Sequence, residues 1–266
     1  TWGWQDGRKR NARITDGHSP MGILTHYWTI NRNTSLQTSF SFMRGKYNRT
    51  SLNWYNATDP RPDYYRYLPS YMTSEEAAEI RAEEFRNGER QLDWNAIYQT
   101  NLSNLQTIEN ADGIAGNTYS GNRSEYIIED RRDENKQYKF NTNFKTDLSE
   151  YIEFTAGAQY NGFYGRNYKT LEDLLGGDYV VDIDKYAERD LIGEGVADND
   201  INHPNHIVDT IGEVFGHDYN ATIHYGKAWA QASYVRRKFS IYAGAYGSYS
   251  QYWRTGNMQN GKFPEQ

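Results

Sequence analysis

Cysteine is absent from the 266 residues, which excludes a disulfide framework and any thiolate metal site. No run approaches the roughly 18 apolar residues of a membrane-spanning helix. A helical membrane protein is thereby excluded, while spans built from strands stay open. The formal charge is only −6, so nothing calls for nucleic acid as a partner. A nucleophile elbow, a P-loop and a dinucleotide fingerprint are also missing, and neither enzymatic activity nor a cofactor is expected.

What the chain does contain is unusual in combination. Hydrophobic residues make up 37% and mean hydropathy is −0.96, yet aromatics reach 15%, with 24 Tyr and 7 Trp. Disordered chains are poor in aromatics, so the composition implies folded structure whose apolar surface is thin and interfacial. The strands of a membrane barrel have that profile, because half of every strand faces water and aromatic girdles mark both interfaces.

Period-two alternation is cleanest between Tyr138 and Leu148, where Tyr138, Phe140, Thr142, Phe144, Thr146 and Leu148 share a face opposite Lys139, Asn141, Asn143, Lys145 and Asp147. After a turn near Ser149 and Glu150 the pattern resumes with Ile152, Phe154, Ala156, Ala158 and Tyr160. Two further hairpins follow the same rule. Met21 to Ile30 and Leu36 to Phe42 flank a turn at Asn31 to Thr34, and Tyr219 to Val235 and Phe239 to Trp253 flank one at Arg236 to Lys238. Parity is unclear around Gly226, where a bulge is expected. The fold class read from this is all-β, with about six antiparallel strands.

The connections between hairpins, at about 44–125 and 165–217, far exceed the roughly 15 residues that compact domains use. Short turns at one end and long loops at the other is the asymmetry of outer-membrane barrels, the long loops being extracellular. The first connection holds a helix through Ala77, Ile80 and Phe85, with Thr73 and Glu76 as a capping box and Gly88 at the C-terminal cap.

The segment Leu52-Asn53-Trp54-Tyr55-Asn56-Ala57-Thr58-Asp59-Pro60-Arg61-Pro62-Asp63-Tyr64-Tyr65-Arg66-Tyr67-Leu68-Pro69-Ser70-Tyr71 resembles an extracellular-loop signature of TonB-dependent receptors from Bacteroidota. Trp2-Gly3-Trp4, Thr25-His26-Tyr27-Trp28 and Tyr252-Trp253-Arg254 are similar to neighbouring segments of that family, so the resemblance runs along most of the chain. It implies a transmembrane β-barrel of about 22 strands closed by a plug. It also implies a place in the outer membrane, energy-coupled nutrient uptake through the TonB system, and a surface lipoprotein as a further partner. Residues 1–266 are then expected to be part of one barrel domain, with the plug and its TonB contact outside this chain. The rival expectations are a secreted soluble β-sandwich that binds glycans and a passive or structural outer-membrane barrel.

The candidate ligand-binding residues are Trp54, Tyr55, Tyr64, Tyr65, Tyr67 and Tyr71. Ring faces bury apolar area while adjacent Asp and Arg orient polar groups of a ligand. Packing of the loop on itself, or membership of the outer girdle, is the plainer reading. Tyr27 and Trp28 lie near a short turn and are expected in the inner girdle. No metal is expected. His203, His206, Asp198 and Asp200 lack a ligand spacing, and Asp178, Asp182 and Asp184 lack the glycine and terminal glutamate of a calcium loop.

Overall fold

The alternating segments become the longest elements of the chain. A computed structural model describes residues 1–193 and 195–265. Positions 194 and 266, which fall within the expected second connection and the expected domain, lie outside the described residues. The strands are β1 (Trp2–Gln5), β2 (Arg8–Asn11), β3 (Thr15–His18), β4 (Met21–Asn31), β5 (Thr34–Trp54), β6 (Leu105–Glu109), β7 (Thr118–Asn122), β8 (Tyr126–Ser149), β9 (Ile152–Asp173), β10 (Val180–Val181), β11 (Ile207–Val208), β12 (Val214–Arg236) and β13 (Phe239–Gly256). The α-helices are α1 (Glu75–Arg86), α2 (Trp94–Leu102) and α3 (Lys185–Asp190). None of the described helices is long and apolar enough to cross a membrane.

One antiparallel sheet runs β13-β12-β9-β8-β5, and β3 and β4 share the far side of β5. β3 and β4 follow a single path broken at Ser19-Pro20. Proline has no N–H for a ladder and is tolerated on such an edge, where its carbonyl still accepts from Arg44 N at 3.2 Å. The expected strands thus form columns, one of them split. Among the described residues the sheet stays open: β13 and the β3–β4 path each have one unpaired side.

Register turns the alternation of each strand into a property of the whole sheet. Residues directly opposite on antiparallel strands point to the same face. Trp28, Leu36, Phe144, Ala156, Ala230 and Ala245 form one such row, and Leu24, Phe40, Phe140, Tyr160, Gly226 and Tyr249 another. Of the two rows between them on the reverse face, one reads Thr25, Ser39, Asn141, Gln159, Lys227 and Ser248, and the other Tyr27, Gln37, Asn143, Gly157, Trp229 and Tyr246. One face therefore carries two apolar rows across every column, with a row of His26, Thr38, Thr142, Ala158, Ala228 and Gly247 between them, and the other face is the more polar. Pairing passes through Gly226 without a shift; the irregularity expected there lies instead between Val214 and Asp218. Tyr27 and Trp28 point to opposite faces, Tyr27 pairing with Gln37 on the polar one, so only Trp28 joins the apolar face.

At one end the strands join by tight turns. Asn31 Oδ1 accepts from Asn33 N at 2.9 Å, and Arg237 takes a φ of 50°. At the other end the strands run farther than expected, to Trp54 in β5 and Asp173 in β9, and β12 begins at Val214. The long connections are therefore 55–125 and 174–213. Charged runs such as Glu129–Glu134 conceal these ends, since backbone pairing continues where apolar alternation has stopped.

The core sits at this end. Trp94, Leu92, Ile97 and Leu175 pack with Tyr126 and Ile128 on one face of β8, while Leu171, Val180, Val208 and Phe215 pack with Ile127 on the other. Burying side chains of this size is worth about 1.5–3 kcal/mol each, so the connections form a stable cap that grips both faces of the strand ends. Helix α1 is capped by Ser74, whose Oγ accepts from Ala77 N at 3.2 Å, rather than by Thr73. Gly88, with φ +72°, closes it as expected. Helix α2, which alternation did not signal, starts at Asp93, whose Oδ1 accepts from Ala96 N at 3.0 Å.

Candidate functional site

Two of the six candidate aromatics meet at cavities in the cap. Trp54 ends β5 and Tyr55 opens the connection, and both line a cavity of about 230 Å³ that continues into a more open cleft of about 1050 Å³. Glu125 and Lys185 line both, and Arg123 lines the smaller. Tyr64, Tyr65, Tyr67 and Tyr71 line neither. They pack edge to face among themselves, with ring centroids of Tyr64 and Tyr65 4.7 Å apart and those of Tyr65 and Tyr71 5.4 Å apart. These contacts lie within the loop itself, and Tyr65 and Tyr71 stay exposed.

The polar groups of the cavity come from three segments. Lys185 Nζ donates to Asn53 Oδ1 at 3.0 Å and to the Trp54 carbonyl at 2.5 Å, and stands 5.3 Å from the Trp54 ring. The Arg123 guanidinium lies 4.6 Å from the Tyr55 ring, and its Nη1 donates to Gln106 Oε1 at 3.3 Å while its buried Nε has no partner. Among the described residues neither cation pairs with a carboxylate. Burial pushes both below their ordinary pKa values, and it pushes the Glu125 carboxyl up, with Arg123 drawing it partly back. Unpaired, partly desolvated cations beside aromatic rings suit an anionic or polyhydroxylated ligand.

Glu129 underlies the cavity at 1% exposure. It accepts from Ser51 Oγ at 3.2 Å and Asn53 Nδ2 at 2.8 Å, and pairs with Arg131 at 2.7 Å and Lys169 at 3.2 Å. Burial alone would raise its pKa, but Lys169 and Arg131 outweigh burial and hold it below the ordinary carboxylate range. Lys169 Nζ in turn sits 4.2 Å from the Phe215 ring.

The acids and histidines weighed for metal are employed otherwise. Asp178 Oδ2 accepts from Asn122 N at 2.7 Å, Asp184 caps α3 and pairs with Lys262 at 2.5 Å, and Asp200 holds His203 at 2.8 Å. Asp198 Oδ1 accepts from Asn205 N at 3.1 Å, and His206 sits 3.0 Å from Asp112. Asp182 is buried, accepting from Gly216 N and Asn199 Nδ2 at 2.8 Å each, and desolvation pushes its carboxyl up. No group of three or more such side chains among the described residues is arranged to hold an ion.

Sequence reading missed Arg123, Glu129, Lys169 and Lys185. One signal was available: in Glu129-Asp130-Arg131-Arg132-Asp133-Glu134, strand alternation puts Glu129, Arg131 and Asp133 on one face, a charged stripe where the polar face enters the cap. Comparison with protein-family models, with curated proteins and with solved structures gives no match.

Proposed function

We propose that this chain forms part of the wall and the external loops of an outer-membrane β-barrel that imports a nutrient. The observation that carries the reading is the register. Apolar rows span all columns of the sheet on one face, the reverse face is the more polar, and tight turns lie below and a packed cap above. The apolar stretch of β8, Tyr138 to Leu148, covers about 33 Å at roughly 3.3 Å per residue. Tilted about 40°, it stands about 25 Å tall, the height of a barrel's lipid-facing band. Trp28 lies toward the turn end of that face, and Tyr164 and Trp253 toward the cap end, as girdle residues would.

An open sheet cannot remain so in lipid, because unpaired backbone groups are costly there. In this reading further strands close the wall, to about 22 as in plugged transporters. The resemblance of the loop around Trp54–Tyr71 to TonB-dependent receptors supports energy coupling through the TonB system, by way of a plug, with a surface lipoprotein as a further partner. The soluble β-sandwich reading needs a second sheet over the apolar face, where Leu24, Phe40, Phe140 and Tyr249 stay exposed.

The test uses the complete protein in its own cells, carrying Ser70→Cys as its single cysteine. Carbonate-resistant outer-membrane protein labelled at position 70 by an impermeant maleimide on intact cells is expected. Soluble protein, or membrane protein whose introduced thiol reacts only after lysis, overturns the reading.

A further inference from the structure

Below the cavity at Trp54 lies a second one, of about 280 Å³, lined by Arg13, Arg49, Arg61, Arg131, Ser51 and again Trp54. Four arginines meet there and no carboxylate lines the space. Their placement is set by pairing. Arg49 in β5 lies directly opposite Arg131 in β8, which lies directly opposite Lys169 in β9. Three cations thus stand in a row across adjacent strands, on the polar face where it enters the cap.

Like charges directly opposite on a sheet are destabilising. Glu129 neutralises part of the row through Arg131 and Lys169, and Asp59 engages Arg61 at 2.5 Å. Arg49 and Arg13 have no ion pair among the described residues. Arg123 and Lys185, also unpaired, stand in the adjoining cavity, and the two spaces meet along β5, where Ser51 lines one, Asn53 the other and Trp54 both. The fold has assembled cations that it does not itself neutralise, at a concave surface with an aromatic wall.

We propose that this seam binds a ligand carrying two or more anionic groups, carboxylate, sulfate or phosphate. Arg49 and Arg131 take one group at the lower cavity, and Lys185 and Arg123 take another at the upper. Guanidinium forks suit each of these anions through paired N–H donors, and the lysine adds a point charge. Trp54, between the two, lines both spaces and would lie against the uncharged body of the ligand. The proposal rests on the polar face being the lumenal side of the wall, which would put the seam on the path of an imported molecule.

The test is titration calorimetry on the detergent-solubilised full-length protein. The probes are trigalacturonate, a sulfated trisaccharide, inorganic sulfate and neutral maltotriose. Expected is binding of one or both charged trisaccharides, weakened at high salt, with maltotriose at least tenfold weaker and inorganic sulfate acting only as a weak competitor. Losing a charged hydrogen-bond partner should lower affinity about tenfold in Arg49→Gln and again in Lys185→Gln. Arg49 makes no structural ion pair, so that variant should fold, as unchanged heat-modifiable migration in gels would verify. Equal binding of charged and neutral trisaccharides, or charged binding indifferent to both substitutions, overturns the proposal even for a protein proven to lie in the outer membrane. Arg49-dependent binding by a protein found soluble would uphold the anion site and overturn transport instead.

Discussion

Asn101 is bonded to Tyr126 through both ends of its amide: Nδ2 donates to the Tyr126 carbonyl at 2.8 Å, and Oδ1 accepts from Tyr126 N at 3.1 Å. The same side chain, fully buried, also accepts from Glu125 N at 2.9 Å and donates to the Leu174 carbonyl at 2.9 Å. One amide on α2 thereby ties the start of β8 to the end of β9.

Asn101→Ala should loosen the cap without disturbing the rest of the sheet. It leaves several buried backbone groups unpaired, at about 1–3 kcal/mol each, so a loss near 3 kcal/mol is expected. Hydrogen exchange should show faster opening confined to residues 92–128 and 171–181. Uniform loss of protection along the tight-turn ends of the strands would contradict this.

Ala230 and Gln231 are consecutive residues of β12 on opposite faces. Ala230→Arg puts a charge into the apolar face and should cost about 2–4 kcal/mol in a bilayer, while Gln231→Arg should cost about 1 kcal/mol or less. Folding yields into lipid vesicles would read the difference, and equal yields would count against a lipid-facing side.

Glu129 predicts acid sensitivity. Its folded pKa lies below the ordinary 4.5, so it contributes stability that is present above about pH 4.5 and is lost as pH falls through the folded value. Glu129→Gln should flatten the acid limb of cap stability. It should also lower stability at neutral pH by about 3 kcal/mol, because the mostly buried Lys169 loses its counter-charge, whereas the exposed Arg131 is screened by water. Proteolysis of the cap as a function of pH distinguishes this from a general acid unfolding shared by both proteins.

Trp229 covers Gly157 on the polar face, where a Cβ at position 157 would come within 2.7 Å of the indole and of the Thr142 carbonyl. Gly157→Ala is therefore expected to displace the ring and destabilise the sheet by about 1–3 kcal/mol. A red shift of Trp emission would accompany the loss. Trp229→Ala in the same background should remove part of the penalty, since the Thr142 carbonyl remains.

What could be read from the sequence was what repeats with period two. Tyr138 to Leu148 alternates within itself, so its faces were visible before any partner was known. The cation row of Arg49, Arg131 and Lys169 was not, because three positions far apart in sequence become neighbours only through register. Trp54 and Tyr55 were singled out with Tyr64, Tyr65, Tyr67 and Tyr71 because all are aromatic and near in sequence. Only the first two lie where the strand end delivers them to a cavity, whereas Pro60, Pro62 and Pro69 turn the rest aside into short 3₁₀ turns.

The split path of β3 and β4 on one side, and β13 on the other, leave rows of amides and carbonyls facing outward. Each is antiparallel-competent, long, and rich in Tyr, Ile and Trp. In water, such borders are templates on which another copy can add, one strand at a time. Pro20 interrupts one of them, but nothing interrupts the eighteen residues of β13. Left uncovered in water, the border along β13 would be expected to template fibrils.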